Sequence, residues 1–250
     1  MDPLFDFTGT VVLVTGGSRG LGYQMVKAFA ERGADVIIAS RKVENCERVA
    51  DEVRALGRRA LAVSAHVGRW AECDALIEAA YAEFGRVDVL INNAGMSPPC
   101  PSHEMPESLF DSVMNLNFKG PFRLASQIGK RMADGASEHG GGSIINISST
   151  GALMALPGVV PYSAAKAALN AMTVSLSREY APKVRVNTIS AGPFLTDIAE
   201  AWDPARRHKQ PVALGRPGQP EEIVTAALML ASPASSYTTG ALLRVDGGQR

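Results

Sequence analysis

Tyr162 and Lys166 stand four residues apart in Pro161-Tyr-Ser-Ala-Ala-Lys-Ala-Ala-Leu169, and Ser149 lies thirteen residues before the tyrosine. Residues four apart on a helix share a face, so this spacing sets an ammonium beneath a phenol. A nearby positive charge favours phenolate, and Lys166 is expected to pull the Tyr162 pKa below its ordinary value near ~10. A phenol tuned in this way gives or takes a proton at neutral pH, and a neighbouring hydroxyl can hold the oxygen that receives it. The chemistry is proton transfer at an oxygen. A Tyr-x-x-x-Lys step also occurs on ordinary amphipathic surface helices, so the meaning of the pair rests on the rest of the chain.

A second group of residues suits anion binding. Thr15-Gly16-Gly17-Ser18-Arg19-Gly20-Leu21-Gly22 follows a strand-like run and opens a helix-like one. Glycines let the backbone turn tightly and let a pyrophosphate approach, and the helix N-terminus offers free N–H groups. An ordinary glycine-rich turn would share the composition; the position in the first strand–helix unit points to a dinucleotide. The next strand ends in Ala39-Ser40-Arg41-Lys42. A site for NAD commonly places an acid here for the ribose hydroxyls, and Ser40 supplies none. Arg41, with Arg19 from the glycine loop, can meet a 2′-phosphate instead, the other reading being two solvated loop arginines. The expected cofactor is NADP(H) in preference to NAD(H).

These residues need elements to place them. Strand-like runs fall at Thr10–Thr15, Asp35–Ala39, Arg59–Ser64, Val87–Ile91, Ser143–Ser148, Val184–Ile189 and Leu242–Val245. Helical patterns fall at Tyr23–Arg32, Val43–Leu56 and Trp70–Phe84, closed by Gly33, Gly57 and Gly85, and the Tyr162–Tyr180 segment forms another. Continuous apolar strands separated by helices predict an α/β fold with a parallel sheet covered on both faces. No break in composition marks a linker, so residues 1–250 read as one domain. Residues 133–142 and 192–218 look like loops, and the second is long enough to be a substrate lid over 193–218.

Bulk properties exclude several classes. The chain has 250 residues, 46% hydrophobic and 20% charged, with zero formal net charge, and nothing suggests the basic face that nucleic acid would need. Cys46, Cys73 and Cys100 are scattered and odd in number, without metal or disulfide spacing, which points to a reducing compartment. The four histidines do not cluster, so no metal is expected. Neither a basic, apolar leader nor a membrane-length apolar run is apparent. The expectation is a cytoplasmic protein without membrane or nucleic-acid partners.

Taken together, the motifs resemble the short-chain dehydrogenase/reductase family across nearly the whole chain. Thr-Gly-x-x-x-Gly-x-Gly at 15–22, Asn92-Asn93-Ala94-Gly95, Asn117, Ser149, Tyr162 and Lys166 occur in the family's order. The resemblance implies a doubly wound, Rossmann-like single domain of about seven parallel strands, a homotetramer or dimer, and hydride transfer between nicotinamide and a carbonyl or alcohol. It implies Tyr162 as general acid in reduction and base in oxidation. Lys166 would lower the tyrosine pKa and bind the nicotinamide ribose, Ser149 would polarise the substrate oxygen, and Asn117 would hold a relay water. Ser148 and Asn115 are the rivals of Ser149 and Asn117; strand alternation turns Ser148 to the other face. The cofactor would touch Gly16, Ser18, Arg19, Gly20, Leu21, Gly22, Ser40, Arg41, His66, Val67, Asn93, Ala94, Gly95, Gly192, Phe194 and Thr196, besides Tyr162 and Lys166. Asn92 and Gly95 would approach the adenosine half, Asn93 could equally brace the sheet, and Thr196 could equally cap a helix before Asp197.

Two departures from the family pattern stand out. His66-Val67 replaces Asp-Val after the third strand, where a neutral imidazole nitrogen could still accept from adenine. Ala191-Gly192-Pro193 stands where the family has Pro-Gly, so the proline has moved. The leading reading is an NADPH-dependent carbonyl reductase, with a 3-oxoacyl thioester or other ketone as substrate. The alternatives are an NAD(P)-dependent alcohol, polyol or sugar-acid dehydrogenase and, further off, a non-catalytic dinucleotide-binding regulator. The substrate pocket is expected from Met96–Cys100, Ala152–Val160 and Phe194–Val212, with an apolar group of Leu153, Met154, Leu156, Val159, Phe194, Leu195 and Trp202. Arg206-Arg207-His208-Lys209 could draw in an acidic carrier or a phosphate, the other reading being a solvated lid face. Small faces on the Tyr162–Tyr180 helix, including Ala167, Ala168, Ala171, Met172, Val174 and Ser175, suit a two-fold contact, and Asp246-Gly-Gly would lie near another interface.

Overall fold

The structure, a computed structural model, describes residues 2–135, 141–197, 199 and 209–249. Val11–Thr15 form β1, and all five residues are buried. Val12 and Val14 enter one apolar cluster, while Val11 and Leu13 enter the other. A strand covered on both faces needs an unbroken apolar run, and this one has it. The other strands are β2 (Asp35–Ser40), β3 (Ala60–Ser64), β4 (Val89–Asn92), β5 (Gly142–Ser149), β6 (Val184–Ala191) and β7 (Leu242–Val245). All seven pair in parallel in the order β3-β2-β1-β4-β5-β6-β7. The expected doubly wound sheet of one domain is borne out. Its order reverses between β1 and β4, so the loops leaving these neighbouring strands diverge and open a crevice at their C-terminal ends.

The helices among the described residues are α1 (Gly20–Ala30), α2 (Val43–Ala55), α3 (Trp70–Phe84), α4 (Glu107–Met114), α5 (Gly120–Asp134), α6 (Val160–Glu179) and α7 (Val224–Ala231). Phe29 of α1, Val49 of α2 and Leu230 of α7 pack on one face of the sheet. Leu76 of α3, Ile128 of α5 and Leu169 of α6 pack on the other. Four helices differ from the sequence reading. Helix α1 starts three residues before Tyr23, because the last glycines of the loop already form its first turn. Helices α4 and α5 were not expected. They are joined by a π-helical stretch, Asn115–Lys119, whose wider turn breaks the apolar period. Helix α7, Val-Thr-Ala-Ala-Leu-Met-Leu-Ala, lacks a polar face, so it carries no amphipathic signal.

Of the expected loops, the first is bounded by Asp134 of α5 and Gly142 of β5, and residues 136–140 lie outside the described residues. The expected lid over 193–218 is described at 193–197, 199 and 209–218; Trp202, Arg206, Arg207 and His208 lie outside. On α6, Ala167, Ala171, Val174 and Ser175 are exposed, but Met172 is buried in the core and cannot serve an interface. It falls on the inward stripe with Leu169 and Leu176. No described helix is long and apolar enough to cross a membrane.

A chain of buried polar side chains ties α6 to the middle of the sheet. Asn92 Nδ2 donates to Asn146 Oδ1 (2.9 Å), and Asn146 Nδ2 donates to Thr173 Oγ1 (2.9 Å). Thr188 also donates to Thr173 Oγ1 (2.8 Å), which donates to the Leu169 carbonyl (3.0 Å). Removing the shared hydroxyl orphans two buried donors, each costing ~1–3 kcal/mol. Thr173→Val should therefore lower the unfolding free energy by about 2–4 kcal/mol in urea titration; a loss under ~0.5 kcal/mol would show that the network does not hold α6 in place.

Candidate active site

At the reversal in strand order, β1 ends in Thr15 and the chain turns through the glycine loop into α1. Arg19 caps this helix without a side-chain bond, so its first-turn N–H groups are open toward the crevice that Gly20 and Leu21 line. A side chain at Gly22 would collide with the Gly16 carbonyl, so the loop closes this tightly only with glycine there. Asn93 braces the loop, donating from Nδ2 to the carbonyls of Thr15 (2.9 Å) and Gly16 (3.3 Å). The Thr15 hydroxyl accepts from the N–H groups of Asn93 (3.0 Å) and Ala94 (3.1 Å) and donates to the Ile91 carbonyl (3.3 Å). Thr15 thus pins β1 to β4, a role the sequence reading missed. Its signal was a hydroxyl at the C-terminal end of an otherwise apolar strand. Asn92, expected near adenosine, is instead buried against Asn146 and the Pro121 carbonyl (3.4 Å), because strand alternation turns it away from the crevice.

At the adenosine end, Ser18 donates to Ser40 (3.1 Å), whose hydroxyl also meets the Cys46 thiol (3.1 Å). Burial pushes that thiol's pKa up, despite the hydrogen bond from Ser40. Arg48, absent from the sequence reading, donates to the Ser18 carbonyl (3.1 Å) and steadies the loop from α2. Arg41 lines the crevice, is exposed, and has no side-chain hydrogen bond or ion pair among the described residues. Arg19, expected beside it, is ion-paired with Asp197 across the mouth of the crevice, where that carboxylate is the anion within reach. His66 also departs from expectation. Its Nδ1 accepts from the Gly68 N–H (3.2 Å) in its own turn, and Ala65 and Val67 line the crevice in its place.

At the other end, β5 delivers Ser149 and α6 delivers Tyr162 and Lys166. The Ser149 hydroxyl accepts from the Gly151 N–H (3.1 Å) and hydrogen-bonds Tyr162. Ser148 is buried on the opposite side and donates to the Lys166 carbonyl (3.3 Å). Lys166 is 3% exposed, with Nζ donating to the Ile147 carbonyl (2.8 Å) and lying 5.8 Å from the Tyr162 ring centre. Burial alone pulls the Lys166 pKa down to about 8. The expectation of a lysine-lowered tyrosine is corrected here. Burial pushes the Tyr162 phenol up, and the Ser149 hydrogen bond opposes that only in part. The ammonium sits over the ring and spends its bond on a backbone carbonyl.

Asn117 occupies the π-helical stretch. Its Nδ2 donates to the carbonyls of Met96 (2.9 Å) and Val113 (2.9 Å), and its Oδ1 accepts from the Met96 N–H (3.3 Å). Both side-chain donors are engaged and Oδ1 already accepts once, which makes the main chain the freer group to hold a water. Pro121 lacks an N–H, so the Asn117 carbonyl receives no bond from four residues on. Gly95 lets the three groups converge, since a side chain there would lie 2.8 Å from Asn117 Oδ1 and 3.6 Å from Lys166 Nζ.

These ends belong to one cavity of about 930 Å³, at the upper end of the range for ligand sites. Gly192, Phe194 and Thr196 close it beside the glycine loop. The shifted Pro193 uses its carbonyl to accept from the Gly218 N–H (2.9 Å), while the Gly192 N–H donates to Val245 (2.9 Å). Of the apolar group expected around the substrate, Leu156 and Phe194 line the cavity, as does Met96. Leu153, Met154, Val159 and Leu195 do not, and Leu153 is half exposed at the end of a 3₁₀ turn. Thr150, Gln210 and Gln249 line it instead. No group of three His, Cys, Asp or Glu among the described residues is arranged to hold a metal.

An ammonium buried without a carboxylate costs stability. Below pH 8 both states carry the proton and the cost is fully present; between about 8 and 10.5 the unfolded chain binds more protons, so stability rises with pH. Lys166→Met should raise the neutral-pH unfolding free energy by about 1–3 kcal/mol and flatten that rise. A variant less stable than the parent at pH 7 in thermal or urea unfolding would contradict this.

The comparisons with known proteins agree with the geometry. The family model described as short chain dehydrogenase matches residues 10–207. A 3-oxoacyl-[acyl-carrier-protein] reductase of Chlamydia trachomatis is 38% identical, over 94% of this chain and 95% of its own length. An NAD-dependent glycerol dehydrogenase of Listeria innocua is 35% identical, over 99% of this chain and 96% of its own. Among solved structures, a 7α-hydroxysteroid dehydrogenase complexed with NADH and 7-oxo glycochenodeoxycholic acid superposes with a TM-score of 0.92 at 31% identity, covering 99% of this chain and 97% of that one. The likeness extends over nearly the full length of this chain, whose parallel sheet carries a glycine cradle at one end of its crevice and a serine, tyrosine and buried lysine at the other, and the chain belongs to the short-chain dehydrogenase family.

Proposed function

We propose that the protein is an NADPH-dependent carbonyl reductase. The observation that carries this reading is the convergence of the Ser149 hydroxyl, the Tyr162 phenol and the buried Lys166 ammonium in the cavity that also holds the glycine cradle. The cradle and the open N–H groups of α1 fit a pyrophosphate, and the nicotinamide would supply the hydride. Ser149 orients the substrate oxygen and stabilises the negative charge that develops there. Tyr162 gives that oxygen its proton. Lys166 fixes the nicotinamide ribose, and the Asn117 main chain steadies a relay water beside it. NADPH is preferred because β2 ends in Ser40 without a carboxylate, beside an Arg41 that has no side-chain partner among the described residues.

The reverse reaction, oxidation of an alcohol or polyol, uses the same groups with Tyr162 as base. The polar Thr150 and Gln249 and the likeness to a glycerol dehydrogenase favour it as the second reading. Assembly as a homotetramer in the cytoplasm completes the proposal. The exposed small residues of α6 suit a two-fold contact, and the free cysteines suit a reducing compartment.

Tyr162→Phe keeps the ring and deletes the proton donor, so it should bind NADPH normally and lose about 10²- to 10⁴-fold in reduction. In the parent enzyme both groups must be protonated, so kcat/KM for reduction should fall as pH rises through about 8, where Lys166 titrates. Wild-type turnover in Tyr162→Phe on a confirmed ketone would remove the mechanism. Arg41→Ala should weaken NADPH about 10- to 100-fold and NADH hardly at all, measured by cofactor fluorescence. Equal losses for both, or a parent that prefers NADH, would reverse the cofactor assignment.

A further inference from the structure

Residues 246–249 double back along residues 212–214 and carry a side chain into the cavity. The Ala213 N–H donates to the Gly248 carbonyl (3.2 Å), the Leu214 N–H donates to Gly247 (3.0 Å), and Val212 bridges Gln249 in antiparallel sense. The Gly248 N–H donates to Asp246 Oδ1 (3.0 Å). Arg244 donates through Nε to Asp246 Oδ2 (2.7 Å) and also reaches the Gln249 carbonyl. The backbone of Gln249 is therefore fixed from both sides. Its half-buried side chain meets Thr150, whose buried hydroxyl donates to Gln249 Oε1 at 2.7 Å. That uses the carbonyl end of the amide. The NH₂ end keeps two donors, and among the described residues no acceptor is paired with them. Gln249 and Thr150 share the cavity wall with Ser149 and Leu156.

We infer that Gln249 determines substrate specificity, its Nε2 donating to a second oxygen of the substrate close to the reacting carbonyl. The inference rests on the carbonyl-reductase reading above. A wall without this amide would accept a plain ketone as readily. A fixed amide donor there favours a carbonyl compound carrying another acceptor oxygen nearby. That oxygen can be the hydroxyl of a hydroxyketone, whose reduction gives a diol, or the thioester carbonyl of a 3-oxoacyl compound.

The experiment compares kcat/KM with NADPH for butan-2-one, 1-hydroxybutan-2-one and acetoacetyl-N-acetylcysteamine. The parent should favour at least one of the two oxygenated compounds over the plain ketone, and the favoured one identifies the source of the second oxygen. Gln249→Glu keeps the length and the acceptor for Thr150 but has no donor when ionised. It should reduce that preference about tenfold, with the change carried by KM. If circular dichroism shows that this variant misfolds, Gln249→Met, which also lacks a donor, is read in the same way. Turnover with the preference unchanged would remove the role of Gln249 alone. A parent that reduces none of the three would remove the carbonyl-reductase reading and this inference together.

Discussion

Lys166 is a cation placed in the interior with no carboxylate to meet it among the described residues. The Ile147 carbonyl accepts a hydrogen bond from its Nζ, and Gly95, lacking a side chain, stands beside it. Much of the surrounding architecture follows from holding an ammonium in so dry a place. Helix α6 must be anchored firmly enough that Lys166 cannot swing out to water. The buried chain of Asn92, Asn146, Thr173 and Thr188 does this by tying the helix to three adjacent strands, where apolar packing alone would leave its rotation less defined. A buried charge that costs the domain stability is thus also the one around which the reacting groups are arranged.

The same burial explains why a sequence argument misjudged the phenol. Spacing correctly brings Tyr162 and Lys166 to one helical face, and attraction between charge and phenolate is the obvious consequence. What spacing cannot reveal is the depth of the site. Desolvation acts on both groups, pushing the lysine down and the tyrosine up, and here it exceeds the effect of a charge 5.8 Å from the ring.

Legibility elsewhere followed physical type. The strands and the glycine loop were readable because their signals are local: an unbroken apolar run, and glycines where the backbone must pass close to itself. The π-helical stretch with Asn117 was readable as one residue but not as an element, since its widened turn obeys neither the helical nor the strand period. Contacts made across long separations were not readable. The pairing of Arg19 with Asp197 and of Thr150 with Gln249 joins loops that share no sequence pattern. The apolar pocket failed for a related reason. Hydrophobic residues near the site in sequence, such as Leu153, point outward once the turn after β5 is formed.

The hydroxyl of Thr15 bridges to Ile91 across 76 positions of chain. That single bond joins the strand that opens the phosphate loop to the strand that opens the segment with Gly95 and Met96. Between them lie α1, β2, α2, β3 and α3, so pairing the two central strands closes a long loop of chain. Loop-closure entropy is spent before any of these contacts repays it, so the domain has a high contact order and a correspondingly slow route to its native state. Until that pairing forms, the edge of β1 that will receive β4 presents unpaired N–H and C=O groups on an apolar strand. The feature that sets the two halves of the crevice in register therefore also makes an immature chain vulnerable to pairing with another chain.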